Sequence, residues 1–115
     1  MDPDRTNAQN QARDLADVPA IEVVTTTALH LMTAAAVKVG LGEDEATARH
    51  LDLDEARTLI TALAGLVTAA APSIGTFHAA PLRDGLTALQ RAFREASPFP
   101  DAAGDGPGEK WTGPV

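Results

Sequence analysis

A chain of 115 residues, 44% apolar and 22% charged, has the composition of one folded domain with room for tails. It contains no cysteine, which excludes a disulfide framework and any thiolate ligand or nucleophile. Its net charge of −7 disfavours direct nucleic-acid binding, which relies on Lys and Arg to neutralise phosphates.

The opening Met1-Asp2-Pro3-Asp4-Arg5 is polar, and no apolar run precedes Pro19, so a secretory signal is not expected. Residues 1–17 are short of large apolar groups and are expected to be disordered. The first predicted helix spans 19–39. Pro19 suits its first turn, Glu22 lies near its positive end and Lys38 near its negative end. Ile21, Val24, Ala28, Leu31, Met32, Ala35 and Val39 recur at helical spacing. Gly40 is placed for a left-handed C-terminal cap, with Leu41 folding back behind it. Glu22, three threonines, His30 and Lys38 interrupt this apolar stretch, which argues against a membrane span and for a soluble, cytoplasmic protein. Val23, Leu29 and Val37 lie off the main face. A helix apolar on more than one side needs more than one partner surface, so these three residues are the candidate interface of a homodimer.

Residues 41–51 form a connector whose early acids and late Arg49-His50 suit a helical turn or two. Asp52 and Glu55 then make a capping-box pair for the second predicted helix, 53–71. Its seam, Leu53, Ala56, Ile60, Leu63, Val67 and Ala70, steps by three and four, and Leu59 and Leu66 widen it. Pro72 is expected to end it. A loop over 72–80 leads to the third helix, 81–96, with Leu82, Leu86, Leu89, Phe93 and Ala96 as its stripe. Ser97-Pro98-Phe99-Pro100 stops that helix, and 97–115 reads as a flexible Gly/Pro-rich tail. The expected architecture is therefore all-α: a three-helix antiparallel bundle over 18–96 with disordered ends.

Two blocks thirty-five positions apart look alike, Leu31-Met32-Thr33-Ala34-Ala35-Ala36-Val37-Lys38-Val39-Gly40 and Leu66-Val67-Thr68-Ala69-Ala70-Ala71-Pro72-Ser73-Ile74-Gly75. The residues before them do not align and no third copy follows, so a solenoid is excluded. The shared alanines instead give each helix a small-residue end that another helix can approach.

Chemistry-bearing patterns are weak. His30, His50 and His78 lie on different segments, with no i, i+4 pair to grip a metal. The acids of 43–55 lack the alternating ligands and central glycine of a calcium loop. Asp105-Gly106-Pro107-Gly108-Glu109-Lys110-Trp111-Thr112 misplaces the glycine and hydroxyl of a phosphate-binding loop. Ser73 lacks a nucleophile elbow. No catalytic, cofactor or metal residue is assigned. The only tryptophan, Trp111, follows Lys110 in the tail. Exposed aromatics in flexible segments often anchor partner grooves, so Trp111 and Lys110, with Arg91 and Arg94 of the third helix, are the candidate partner-binding residues. The competing expectation is that Trp111 docks back on its own helices.

The block Asp52-Leu53-Asp54-Glu55-Ala56-Arg57-Thr58-Leu59-Ile60-Thr61-Ala62-Leu63-Ala64-Gly65-Leu66, with His30-Leu31-Met32 before it and Pro81-Leu82-Arg83-Asp84-Gly85-Leu86 after it, resembles a bacterial family called domain of unknown function 1844. The ending Gly106–Val115 resembles the actinobacterial branch. The likeness covers most of 19–115 and departs from the wider family at Ala71-Pro72-Ser73-Ile74-Gly75, in place of a more basic turn. The family supplies no activity or catalytic residues, and the gene neighbourhoods of its actinobacterial members imply a translation-linked partner. The functional expectation is a small non-catalytic interaction or adaptor protein that self-associates through its helices and meets a protein partner, with no cofactor. The alternative is a ligand-binding protein or enzyme with a pocket between helices or subunits, using His30, His78 and nearby arginines.

Overall fold

The computed structural model describes residues 3–41 and 50–115; the middle of the connector, 42–49, lies outside the described residues, and with it the turn expected there. The described residues form helices and no strand: α1 (Pro3–Ala16), α2 (Ala20–Lys38), α3 (Leu53–Ile74), α4 (Thr76–Ala96) and a single turn, α5 (Glu109–Thr112). The all-α class stands, and among the described residues the helices number five, four of them long, where three are expected. α1 occupies the segment expected to be disordered. Ala8, Gln9, Gln11, Ala12 and Arg13 are good helix formers, and residues 7–16 are all exposed. Local propensity therefore shapes α1 without burial.

α2 begins behind Pro19 and ends as its sequence suggests. Leu41 N–H donates to Ala36 C=O at 3.0 Å and Gly40 N–H to Val37 C=O at 3.1 Å, with Gly40 at φ 84°. This is a Schellman closure, and it needs a residue free to take positive φ. At the start of α3, Asp52 Oδ1 accepts from Glu55 N–H at 3.1 Å. The Asp52 N–H donates to Lys38 C=O at 2.8 Å, so the backbone of α2 replaces the reciprocal half of the capping box and ties the two helices end to start.

The loop expected at 72–80 is helix. Pro72 and Pro81 lie inside α3 and α4, which are joined by Gly75 alone at φ 84° and ψ 162°. Each proline removes one N–H and leaves the carbonyl four residues earlier unpaired. Those carbonyls belong to Thr68 and Phe77, both exposed residues, where water can meet them. The two similar blocks share a structural role as well: each closes a long helix, and Gly40 and Gly75, both at φ 84°, end them.

α2, α3 and α4 pack on one another around Ala28, Ala35, Val39, Ala56, Ile60, Leu63, Ala64, Val67, Leu82, Leu86, Leu89 and Phe93. Ala56, Ile60, Leu63 and Val67 of the expected α3 seam and Leu82, Leu86, Leu89 and Phe93 of the expected α4 stripe lie in the core, whereas Ala70 and Ala96 do not and Ala64 and Ala71 are buried instead. α3 and α4 run antiparallel: Arg57 stands over Phe93, Ala64 and Gln90 flank the same glycine, and Val67 shares a cleft with Leu86. Met32 of α2 sits so close over Gly85 of α4 that a Cβ there would collide with it. By length and composition both α2 and α3 could cross a bilayer. The apolar side of α3 is in the core, whereas within α2 only Ala28 and Ala35 are buried.

Leu63 is fully buried and Leu15 of α1 is 55% exposed. Leu63→Ala is expected to lower the unfolding free energy by about 2–5 kcal/mol in urea denaturation. Leu15→Ala should change it by less than about 0.5 kcal/mol.

Candidate functional site

The segment after α4 is not a flexible tail. It folds back along α3 and α4, and polar contacts made by those helices set its course. Ser97 closes α4 by donating from Oγ to Phe93 C=O at 2.7 Å. Pro98-Phe99-Pro100 then leads away from the helix, with Phe99 exposed. Asp101 brings the chain back. Its carboxylate meets Arg57 Nη2 of α3 at 2.8 Å, and its carbonyl accepts from Arg94 Nη1 of α4 at 3.3 Å. The Arg57 guanidinium also lies 5.0 Å from the centre of the Phe93 ring, a cation–π distance that fixes its aim.

Beyond the turn at 102–105, Pro107, Gly108 and Glu109 are buried. Gln90, 2% exposed on α4, donates from Nε2 to Pro107 C=O and to Thr112 Oγ1, both at 3.0 Å. Gly108 adopts φ 76° and lies directly on α3: a Cβ there would stand 2.5 Å from Ala64 Cβ and 3.3 Å from Gln90 Nε2. Backbone hand and space both demand glycine. The Glu109 carboxylate, inside α5, accepts from the backbone N–H groups of Gly104 and Val115 at 3.4 and 3.3 Å and faces Arg94 Nη2 at 3.6 Å. A buried carboxylate requires such donors and a countercharge.

Trp111 is carried by α5 onto Gly65 of α3, its benzo carbons 3.6–3.9 Å from where a Cβ of residue 65 would be. It remains 41% exposed, and Lys110 Nζ lies 4.3 Å from its ring centre. The indole forms a ridge between two clefts. One, about 310 Å³, is lined by Arg57, Thr61, residues 104–108, Lys110 and Trp111. The other, about 270 Å³, is lined by Val67, Thr68, Arg83, Leu86, Thr87, Trp111 and Thr112.

The structure therefore unites Trp111 and Lys110 at one surface. Arg94, named with Arg91 as a candidate partner-binding residue, lines neither cleft and reaches the segment itself, donating to Asp101 C=O and facing the Glu109 carboxylate. Arg91 is exposed and lines neither cleft. His30, His50 and His78 are exposed, and His78 packs edge-on against Phe77 at 5.2 Å. Among the described residues no three His, Cys, Asp or Glu side chains gather as a metal site. On α2, Leu29 and Val23 are exposed, by 51% and 39%, and Val37 is half-buried. Leu29 alone of the three lines a shallow apolar groove of about 280 Å³, with Met32, Thr33, Ala36, Gly85 and Leu89.

Sequence reasoning missed Arg57, Gln90, Asp101 and Glu109 as the fixings of the segment. The available signal was Gly65, a glycine inside an otherwise strong helix, which has a packing reason when it persists. Gly108→Ala is expected to displace the segment, shifting Trp111 emission to the red and lowering the thermal midpoint. Glu109→Ala, which strands Arg94 and two N–H groups, should cost about 1–3 kcal/mol. Unchanged emission and stability in both variants would contradict the docking described.

No curated protein and no solved structure matches this sequence. A family model does, over residues 20–95, from the start of α2 to the end of α4. The match spans the three packed helices and stops short of the docked segment, and the chain belongs to the family described as Domain of unknown function (DUF1844).

Proposed function

We propose that this protein is a small, non-catalytic interaction protein, which pairs with a second copy through α2 and offers the Trp111 surface to a protein partner. The observation that carries the reading is the condition of α2, a helix apolar enough to span a bilayer in which, among the described residues, only Ala28 and Ala35 are fully buried while Leu31, Met32 and Ala36 are partly buried and Leu29 and Val23 are exposed. The surface where α2 meets α4 carries both halves of a self-complementary contact. Leu29 projects, and beside it Met32, Ala36, Gly85 and Leu89 form a groove of side-chain size. In a twofold interface the same patch meets itself, so a knob and a hole on one face are what pairing requires. The clefts beside Trp111 contain neither His30 nor His78, which counts against a histidine-based pocket.

The cytoplasm is the proposed location, given the charged residues that flank and interrupt α2. The actinobacterial affinity of the Gly106–Val115 ending and a translation-linked partner belong to the same proposal and rest on resemblance alone. Sedimentation equilibrium tests the pairing. Wild type at tens of micromolar is expected near twice its 11.9 kDa mass, and Leu29→Glu near 11.9 kDa with unchanged helicity. A wild type that sediments as a monomer would contradict the reading, and one that also floats with phospholipid vesicles would assign the face to lipid instead.

A further inference from the structure

The surface around Trp111 has a chemistry at odds with the rest of the chain. Across a molecule of net charge −7, the charged groups lining the two clefts are Arg57, Arg83 and Lys110 against Asp105 alone. Arg57 is engaged by Asp101. Arg83 and Lys110 have no carboxylate within ion-pair distance among the described residues. The lining also follows helical rows. Arg57, Thr61 and Thr68 fall on one side of α3, and Arg83 and Thr87 on one side of α4. Thr61 and Thr68 supply hydroxyls that can donate or accept, the hydroxyl protons of Thr87 and Thr112 are already given to Arg83 C=O and Gly113 C=O, and the Trp111 indole supplies apolar area at the centre.

From this arrangement we infer that the two clefts form one groove for an extended acidic peptide segment of a partner protein, crossing Trp111 with an apolar side chain on the indole and carboxylates directed to Lys110 and Arg83. The inference rests on the reading of this surface as a protein-docking site and names its occupant. Several features select a peptide. The groove is lined by hydroxyls and by the glycine-rich stretch 104–108, it has two side-chain-sized hollows, and it carries a single exposed aromatic, Trp111. Nucleic acid would have to approach a strongly negative molecule for the sake of Arg83 and Lys110, the cleft cations without a carboxylate partner among the described residues. Charge complementarity also makes the contact salt-sensitive and selective by sign.

Trp111 is the only tryptophan, so its emission reads the groove directly. The probes are three decapeptides of alternating residues, Glu/Leu, Gln/Leu and Lys/Leu, and an oligouridine decamer, titrated into the full chain at low and at high salt. Only the Glu/Leu peptide is expected to give a saturable change, weakened several-fold by salt. Lys110→Glu and Arg83→Glu should each weaken it by about five-fold. Arg91→Glu, on the same helix outside the clefts, should leave it unchanged. Lys110→Gln is the substitute if charge reversal disturbs the indole. Equal responses to the Glu/Leu and Gln/Leu peptides would overturn the acidic occupant and leave the docking surface standing. A response to the uridine decamer and to no peptide would overturn both. Silence towards all four probes, in a protein whose Trp111 is docked, would also overturn both. Equal weakening by Arg91→Glu would reduce the effect to overall charge and overturn the groove.

Discussion

A buried carboxylate and a buried amide determine how this small protein is closed. Glu109 and Gln90 are each almost wholly removed from water, and each is costly to bury unless its partners are in place. Glu109 takes Arg94 and the N–H groups of Gly104 and Val115. Gln90 gives its amide protons to Pro107 and Thr112. The partners lie on both sides of the gap between α4 and the last fifteen residues, so a segment rich in glycine and proline acquires one position. The Trp111 surface, with both of its clefts, exists only while that position is held.

The helical body supports this closure through small residues. Ala64 and Gly65 on α3 leave a strip flat enough for Gly108 and the indole to lie against. Gly85 does the same for Met32 between α2 and α4. One side of the body is thereby covered by the chain's own ending. Among the described residues, nothing covers the outer side of α2 at Val23 and Leu29 in the same way. The interaction reading follows from that asymmetry: a face supplied with its own lid, and another on which Val23 and Leu29 stay exposed among the described residues.

Legibility followed the kind of signal. Patterns repeated over several turns were plain: the seam of α3, the stripe of α4, the Gly40 closure and the Asp52 cap were all readable from spacing and residue type. The prolines misled. Pro72 and Pro81 break a helix only where the freed carbonyl has nowhere to go, and Thr68 and Phe77 put those carbonyls at the surface, so Gly75 alone makes the turn. α1 was hidden by its polarity, which signals a lack of burial and says little about local helix propensity. The ending was the largest miss. Its composition speaks for flexibility, and the residues that fix it, Arg57, Gln90 and Arg94, lie on helices far away in sequence. No local pattern joins Gln90 to Pro107 or Glu109 to Arg94. Trp111 and Lys110 were legible as a surface because an isolated aromatic stands out by type alone.

The central claim is that residues 101–115 are a fixed part of the fold, and amide hydrogen exchange of the full chain tests it most directly. The N–H of Gly113 donates to Glu109 C=O at 2.8 Å and that of Val115 to the Glu109 carboxylate at 3.3 Å. Neither bond survives if the segment leaves α3 and α4. The account expects both amides to exchange far more slowly than those of an unstructured chain, and Glu109→Ala to abolish their protection. Exchange at unstructured-chain rates in the wild type would contradict it and return the segment to a free tail.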